Sequence, residues 1–241
     1  MLRSPAAFAA GGAAALLLVG CSSSQPAGSM PAGLRTALPA TVSCAYPDDG
    51  STAARTNTPP LVDAISTIAP NATPTAAIAT NHGPIGVALD GTLSPCTVNS
   101  FASLAYQGYF DDTTCHRLTT GPSLQVLQCG DPSGTGRGGP GYGFDNEFPT
   151  TAYDRGDRAV DKPVTYPRGA VAMANTGAPG SNGSQFFLVY GDSRLPPQYT
   201  VFGTVDASGL STLDKIAAGG ATPSRDGTPI LTTDIKTVRL D

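Results

Sequence analysis

Downstream of Thr75 the chain is broken into short β-compatible runs punctuated by glycine, proline and asparagine, a pattern that leaves no room for an architecture of long helices. The runs are 76–80, 85–89, 114–118, 124–129, 170–175, 185–190, 201–205 and 235–240. Between the first two, Asn81-His82-Gly83-Pro84 reads as a hairpin turn. Two stretches carry helical periodicity instead. Val98, Phe101, Leu104 and Ala105 share a face and Gly108 ends the run; Leu210, Leu213, Ile216 and Ala217 repeat the pattern before Gly219-Gly220. Many short strands with two helices predict a mainly β domain, a closed barrel with helical caps. Glycine (29) and proline (22) are abundant enough to disfavour a helical bundle throughout.

Hydrophobic residues make up 40% of the chain, enough for one core of ordinary domain size. Lys and Arg number 14 against 18 Asp and Glu, so nucleic acid is not the expected partner. With two His, a His-rich metal cage cannot be built, and any zinc site would be thiolate-rich. Neither a metal nor a cofactor is expected.

The N-terminus has the order of a secretory signal over residues 1–20: Met1-Leu2-Arg3, an Ala-rich apolar run through Val19, then a small residue and Cys21. A transmembrane anchor is the alternative, although Gly11 and Gly12 interrupt a run barely long enough to span a bilayer. Leu18-Val19-Gly20-Cys21 resembles the lipobox of bacterial lipoproteins, which implies cleavage before Cys21 and a lipid on its thiol. The expected location is then extracytoplasmic, lipid-anchored to the outer face of the plasma membrane. Residues 21–74, rich in Ala, Ser, Thr, Pro and Gly, read as a flexible tether with a root-mean-square reach of roughly 40 Å. Its apolar patch, 61–68, could pack onto the domain, as could Cys44 near Tyr46-Pro47. Cys44, Cys96, Cys115 and Cys129 remain, an even number in a disulfide-tolerant compartment; they lack any C-x-x-C element, and buried free thiols stay open as an alternative.

Six motifs stand in order across 75–241: Cys115-His116-Arg117, Gln128-Cys129-Gly130-Asp131-Pro132, Gly136-Arg137-Gly138-Gly139-Pro140-Gly141-Tyr142, Ala172-Met173-Ala174-Asn175, Asn182-Gly183-Ser184-Gln185-Phe186-Phe187 and Tyr199-Thr200-Val201-Phe202-Gly203. The glycine run does not lie between a strand and a helix, as a dinucleotide site would require. Together these motifs resemble the cyclophilin family. The resemblance implies a closed eight-stranded antiparallel barrel capped by two α-helices, and peptidyl-prolyl cis-trans isomerase activity on proline-containing polypeptides.

That chemistry explains the shortage of acids and bases in the motifs. Rotation about an X-Pro bond moves no proton; its barrier of about 18–20 kcal/mol is amide resonance. What helps is a fixed positive donor beside the prolyl nitrogen and an apolar slot for the ring. By resemblance Arg117 is the donor, Gln128 orients it and bonds the substrate backbone, and Phe187 floors the proline pocket. Leu195 closes its side, Ala174 and Asn175 offer an edge to the extended substrate, and Gln185 adds a polar contact. His116 is expected to be structural, facing away from Arg117 by the two-residue strand period.

The chain departs from the pattern in places. Ten residues separate Arg117 from Gln128 where animal members carry seven, so their phenylalanine and methionine align with Gln125 and Val126, and Leu124 could take over the apolar contact. The cyclosporin-binding tryptophan is absent, its place falling near Ser193-Arg194, and the pocket histidine falls at Tyr199; weak cyclosporin binding is expected. Residues 148–167 form a longer segment than usual with mixed charges, read as a solvated surface loop. The resemblance also places positions 115 and 129 opposite each other, implying Cys115–Cys129 and leaving Cys44–Cys96 to fasten the tether. A monomer is expected. The alternative function is a proline-peptide binder or holdase with little catalysis, which could dispense with Arg117; a redox module is disfavoured because strand cysteines lack an activating helix N-terminus.

Overall fold

The computed structural model describes Met1, residues 42–60 and residues 74–241. The remainder of the leader, Cys21, residues 22–41 and the patch at 61–68 lie outside the described residues. In chain order the elements are β1 (Thr75–Thr80), β2 (Gly83–Leu89), α1 (Pro95–Tyr106), β3 (Thr113–Thr114), β4 (Arg117–Gly121), β5 (Leu124–Cys129), β6 (Val164–Tyr166), β7 (Ala170–Met173), β8 (Phe186–Gly191), β9 (Ser193–Leu195), β10 (Val201–Val205), α2 (Ala207–Ala218), β11 (Ala221–Thr222), β12 (Asp226–Pro229) and β13 (Asp234–Leu240). The fold is mainly β with two helices. Eleven strands form one curled antiparallel sheet in the order β11-β12-β4-β5-β8-β7-β10-β2-β1-β13-β3, while β6 and β9 pair separately.

This corrects the expectation of a closed eight-stranded barrel. The ladder ends at β11 on one side and β3 on the other. Thr114 ends β3, and Cys115 N–H still follows its register by bonding to the Thr233 carbonyl, but β4, from Arg117, pairs with β12 and β5 and not with β13. A curled half-barrel results.

Strand parity divides the apolar residues between the two faces of this sheet. Leu118, Leu127, Val171, Met173, Phe186 and Leu188 join α1 and α2 in the main core. Val126, Ala170, Ala172, Phe187 and Val189 form a second cluster on the other face.

Helix α1 begins with Pro95, whose fixed φ suits the first turn. Ser94 makes no side-chain cap; its hydroxyl donates to the Val201 carbonyl at 2.7 Å. The Glu147 carboxylate caps the helix instead, accepting from Cys96 N–H (2.9 Å), Thr97 N–H (2.8 Å) and the Thr97 hydroxyl (2.7 Å). Glu147→Ala orphans these donors and should cost about 2–3 kcal/mol, checked by denaturant titration; an unchanged midpoint would contradict the cap. At the other end Gly108 adopts φ +66°, and N–H groups of Gly108 and Tyr109 return to the carbonyls of Ala105 and Leu104. Asp206 caps α2 through Gly209 N–H.

Within the stretch read as a tether, residues 42–60 are laid against the domain, in keeping with the expectation that Cys44 and the residues around Tyr46-Pro47 could pack there. Pro47 O accepts from Gly143 N–H, Ala54 N–H donates to Gly139 O, and Asp48 bridges Tyr142. Tyr46 stacks edge-on against Tyr142 and Phe144, its hydroxyl donating to Cys96 O at 2.8 Å. Cys44 is bonded to Cys96. One Arg55 terminal nitrogen sits among the carbonyls of Gly108, Tyr109 and Asp111 at 2.6–3.0 Å, just past the end of α1. Backbone bonds, one ring and one guanidinium leave no hydrophobic period, so beyond Cys44 and Tyr46-Pro47 the docking of this strap is not legible in the sequence.

Candidate active site

The pairing register assembles the site. Arg117 opposes Gln128, Gln128 opposes Phe187, and Phe187 opposes Ala172, so one row crosses β4, β5, β8 and β7. Paired residues project from the same face of a sheet. Arg117, Gln128 and Phe187, remote in sequence, therefore stand side by side beside the second apolar cluster.

The apolar part of the site holds Phe187 and Val126, both buried, with half-buried Leu195, Tyr199, Ala174 and Leu124 packed around them. The Phe187 and Tyr199 rings meet edge-to-face at 5.7 Å. Strands β4 and β5 form a hairpin, and on this side of the cluster buried Val126 and half-buried Leu124 pack together.

Tyr166 is the pocket residue that sequence reasoning missed. It is fully buried, 6.3 Å from the Phe187 ring and 6.5 Å from the Tyr199 ring. Its hydroxyl lies 3.1 and 3.0 Å from the Pro196 and Tyr199 carbonyls and accepts from Tyr199 N–H at 3.2 Å, pinning the segment that carries Leu195 and Tyr199. Burial drives its phenol pKa well up, so it stays protonated. This also corrects the reading of 148–167 as a solvated loop. Its middle is exposed, but Phe148 is buried and the end becomes β6, pairing Val164 with Leu195 and Tyr166 with Ser193. The missed signal is the alternation Val164-Thr165-Tyr166, hidden in a charged segment.

The polar part is a directed chain of bonds. Arg117 Nε and Nη2 donate to the two carboxylate oxygens of Asp226 at 2.7 and 2.8 Å, and Nη1 donates to Gln128 Oε1 at 3.1 Å. Gln128 Nε2 donates to Gln185 Oε1 at 2.9 Å, and Gln185 Nε2 to Gly138 O at 2.9 Å. Asp226 holds the guanidinium pKa above its ordinary value, and Arg117 holds the Asp226 carboxyl below its own, so both stay charged.

The turn presenting Gly138 is organised by buried Asp131, which accepts from the N–H groups of Ser133, Gly136 and Gly138 and from the Ser133 hydroxyl. Burial alone would raise its pKa; these donors outweigh it and leave the carboxyl below the ordinary range. His116 packs against Gly136, and burial lowers its pKa. Asn175 donates from its side-chain amide to Gln198 O at 2.8 Å, and its side-chain oxygen accepts from Gly177 N–H at 3.0 Å, which fixes the orientation of the amide. Cys115 and Cys129, immediately beside the row, are bonded to each other.

Among the described residues, no group of His, Cys, Asp and Glu is placed to hold a metal ion, and no helix is long and apolar enough to cross a membrane.

The family profile described as cyclophilin type peptidyl-prolyl cis-trans isomerase matches residues 75–240. The chain is 56% identical over 201 residues to the probable peptidyl-prolyl cis-trans isomerase B of Mycobacterium leprae, a match covering 83% of this chain and 67% of that one. Against the Mycobacterium tuberculosis protein of the same name identity is 62% over 163 residues, 67% of this chain and 53% of the relative, so the match spans about half of the relative's length. A crystal structure of a Cryptosporidium parvum cyclophilin type peptidyl-prolyl cis-trans isomerase superposes with TM-score 0.55 at 30% identity, covering 69% of this chain and 96% of that one. Another, obtained in the presence of the dipeptide Ala-Pro, superposes with TM-score 0.55 at 29% identity, covering 69% and 98%.

Proposed function

The chain belongs to the cyclophilin-type peptidyl-prolyl cis-trans isomerases, and from that membership we propose that it catalyses cis-trans exchange of X-Pro bonds in polypeptides at the row Arg117, Gln128 and Phe187. One observation carries this reading: a charged guanidinium with unspent donors stands next to an apolar, aromatic-walled slot.

The mechanism follows from where charge appears. In the ground state the prolyl nitrogen shares its lone pair with the carbonyl; as the bond twists, resonance is lost and the pair localises on nitrogen. Bonds to Asp226 and Gln128 take the Arg117 Nε–H and one N–H on each terminal nitrogen, leaving one N–H on each for the substrate. A donor aimed at that nitrogen is worth more in the twisted state than in the planar one, which is the condition for catalysis. Phe187, Val126, Leu124, Leu195 and Tyr199 hold the ring, while the main chain of Ala174 and Asn175 offers the flanking edge. The test is the exchange rate of a short X-Pro peptide with and without the purified protein. Acceleration supports the reading; peptide binding without acceleration would make the groove a recognition module.

On the Leu18-Val19-Gly20-Cys21 signature we also propose that the protein acts as a monomer on secreted or envelope polypeptides, anchored through lipid on Cys21 at the outer face of the membrane; the two disulfides support an oxidising compartment. The mass of the mature N-terminus tests the lipid. Cyclosporin should inhibit weakly, since the chain has no tryptophan and the nearby Arg194 side chain is bonded to Pro163 O at 2.9 Å. An inhibition curve as tight as that of tryptophan-bearing family members would contradict this.

A further inference from the structure

The guanidinium of Arg117 reaches the groove on a long side chain that pays a large rotamer entropy to stay in one place. Gln128 gives it a single hydrogen bond to a neutral acceptor at 3.1 Å. The stronger hold comes from across the sheet. Asp226 pairs in register with Thr119, two residues along β4 from Arg117, so its carboxylate is the diagonal neighbour of the arginine on the same face. Both oxygens are engaged, at 2.7 and 2.8 Å, in a side-on fork that fixes the plane of the guanidinium as well as its position. The strand bearing Asp226 is itself fixed: Thr120 N–H donates to Arg225 O at 2.7 Å, and Ser224 bonds the Asp226 main chain. Next to it, a Cβ at Gly227 would stand 2.2 Å from the Thr222 carbonyl oxygen, so glycine there allows β11 and β12 to close together.

We propose that Asp226 is a positioning residue for the isomerase reaction, holding Arg117 so that its remaining terminal N–H groups face the prolyl nitrogen. The inference rests on the isomerase reading of the groove. Its reach extends along the bond chain. With the guanidinium fixed, Gln128 must turn its oxygen toward Arg117, its amide nitrogen then meets Gln185 Oε1, and Gln185 in turn directs its nitrogen to Gly138 O. One carboxylate thus sets the orientation of two amides that line the groove.

The molecule contains its own control. Arg168 and Asp214 form an equally exposed fork, 2.7 and 2.8 Å, with side-chain exposures of 38% and 54% against 38% and 56% for Arg117 and Asp226. That pair lies between the turn before β7 and helix α2, away from the row. The experiment measures kcat and KM for an X-Pro peptide with the parent, Asp226→Ala, Asp226→Asn, Asp226→Glu and Asp214→Ala, with melting curves alongside. We expect kcat to fall about tenfold in Asp226→Ala and Asp226→Asn with KM within about twofold, as for a catalytic group displaced by a fraction of its working tolerance. Asp226→Glu should recover most of the loss, and Asp214→Ala should match the parent. In the nitrogen-edited NMR spectrum, the Arg117 Nε–H signal should be protected from exchange in the parent and in Asp226→Glu, and lose that protection in Asp226→Ala. Unchanged or increased kcat in Asp226→Ala overturns the inference while leaving the isomerase reading intact. So does a loss that tracks a lowered melting point and is not recovered by glutamate. A parent that does not accelerate exchange overturns the isomerase reading and this inference with it.

Discussion

Arg117→Ala is expected to lower kcat/KM for X-Pro exchange by about two to three orders of magnitude, the range seen when a preorganised donor to a transition state is removed. The loss should fall on kcat. The planar amide nitrogen is a poor acceptor, so the ground state gains little from the guanidinium and peptide affinity should change little. Stability should hardly move, because the Arg117 side chain is 38% exposed and its ion pair with Asp226 is of the exposed kind, worth about 0–1 kcal/mol. Lysine should not rescue, since an ammonium lacks the planar fork that reaches Asp226, Gln128 and substrate together. Exchange spectroscopy on a proline peptide, with melting curves as the folding control, checks all of this. Activity retained within threefold would remove Arg117 from the mechanism.

Replacing both Cys44 and Cys96 by serine should destabilise the protein by about 4 kcal/mol, from the loop entropy released to the unfolded chain across a 52-residue separation. Removing Cys115–Cys129, with a separation of 14, should cost less, about 3 kcal/mol. The larger effect has a second source. Without the bond, the strap at 42–60 must stay docked through Tyr46, Arg55 and its few backbone bonds alone. Its release would uncover Tyr142 and Phe144, which Tyr46 now covers. Urea midpoints of the two double variants against the parent give the comparison, and a Cys44/Cys96 shift below about 1 kcal/mol would show that the strap contributes little.

Where apolar residues carried the information, the chain could be read directly. Strands β5 and β10 fall on the expected residues, and α1 and α2 present the expected faces inward, because burial writes a period of two or 3.6 into the sequence. The row Arg117, Gln128 and Phe187 was legible only through motif resemblance, since its coherence lies in cross-strand register, which no single segment displays. Whether the barrel closes is not legible, because the ends of the sheet are β3 and β11, each of two residues, too short to carry a period. Asp226 escaped notice for a related reason: Ser224-Arg225-Asp226-Gly227 has the composition of any turn, and only the pairing of β12 with β4 brings it to Arg117. The extent of the strap at 42–60 beyond its cysteine, and the buried end of the segment 148–167, are likewise hidden in polar, proline-containing stretches.

The alternation within β8 has a consequence for how this protein can change. Phe186, Leu188 and Tyr190 belong to the main core, while Phe187 and Val189 belong to the second cluster, on the face that carries the row. The same division runs through β5, with Val126 on one side and Leu127 and Cys129 on the other, and through β7. On the proposed reading of the site, ligand preference and folding are therefore written on interleaved residues of the same strands. A lineage that varies every second position leaves the contacts of the main core in place and confines the cost to the second cluster. A mutational scan along β8 should accordingly yield a two-residue rhythm, loss of soluble protein alternating with altered selectivity.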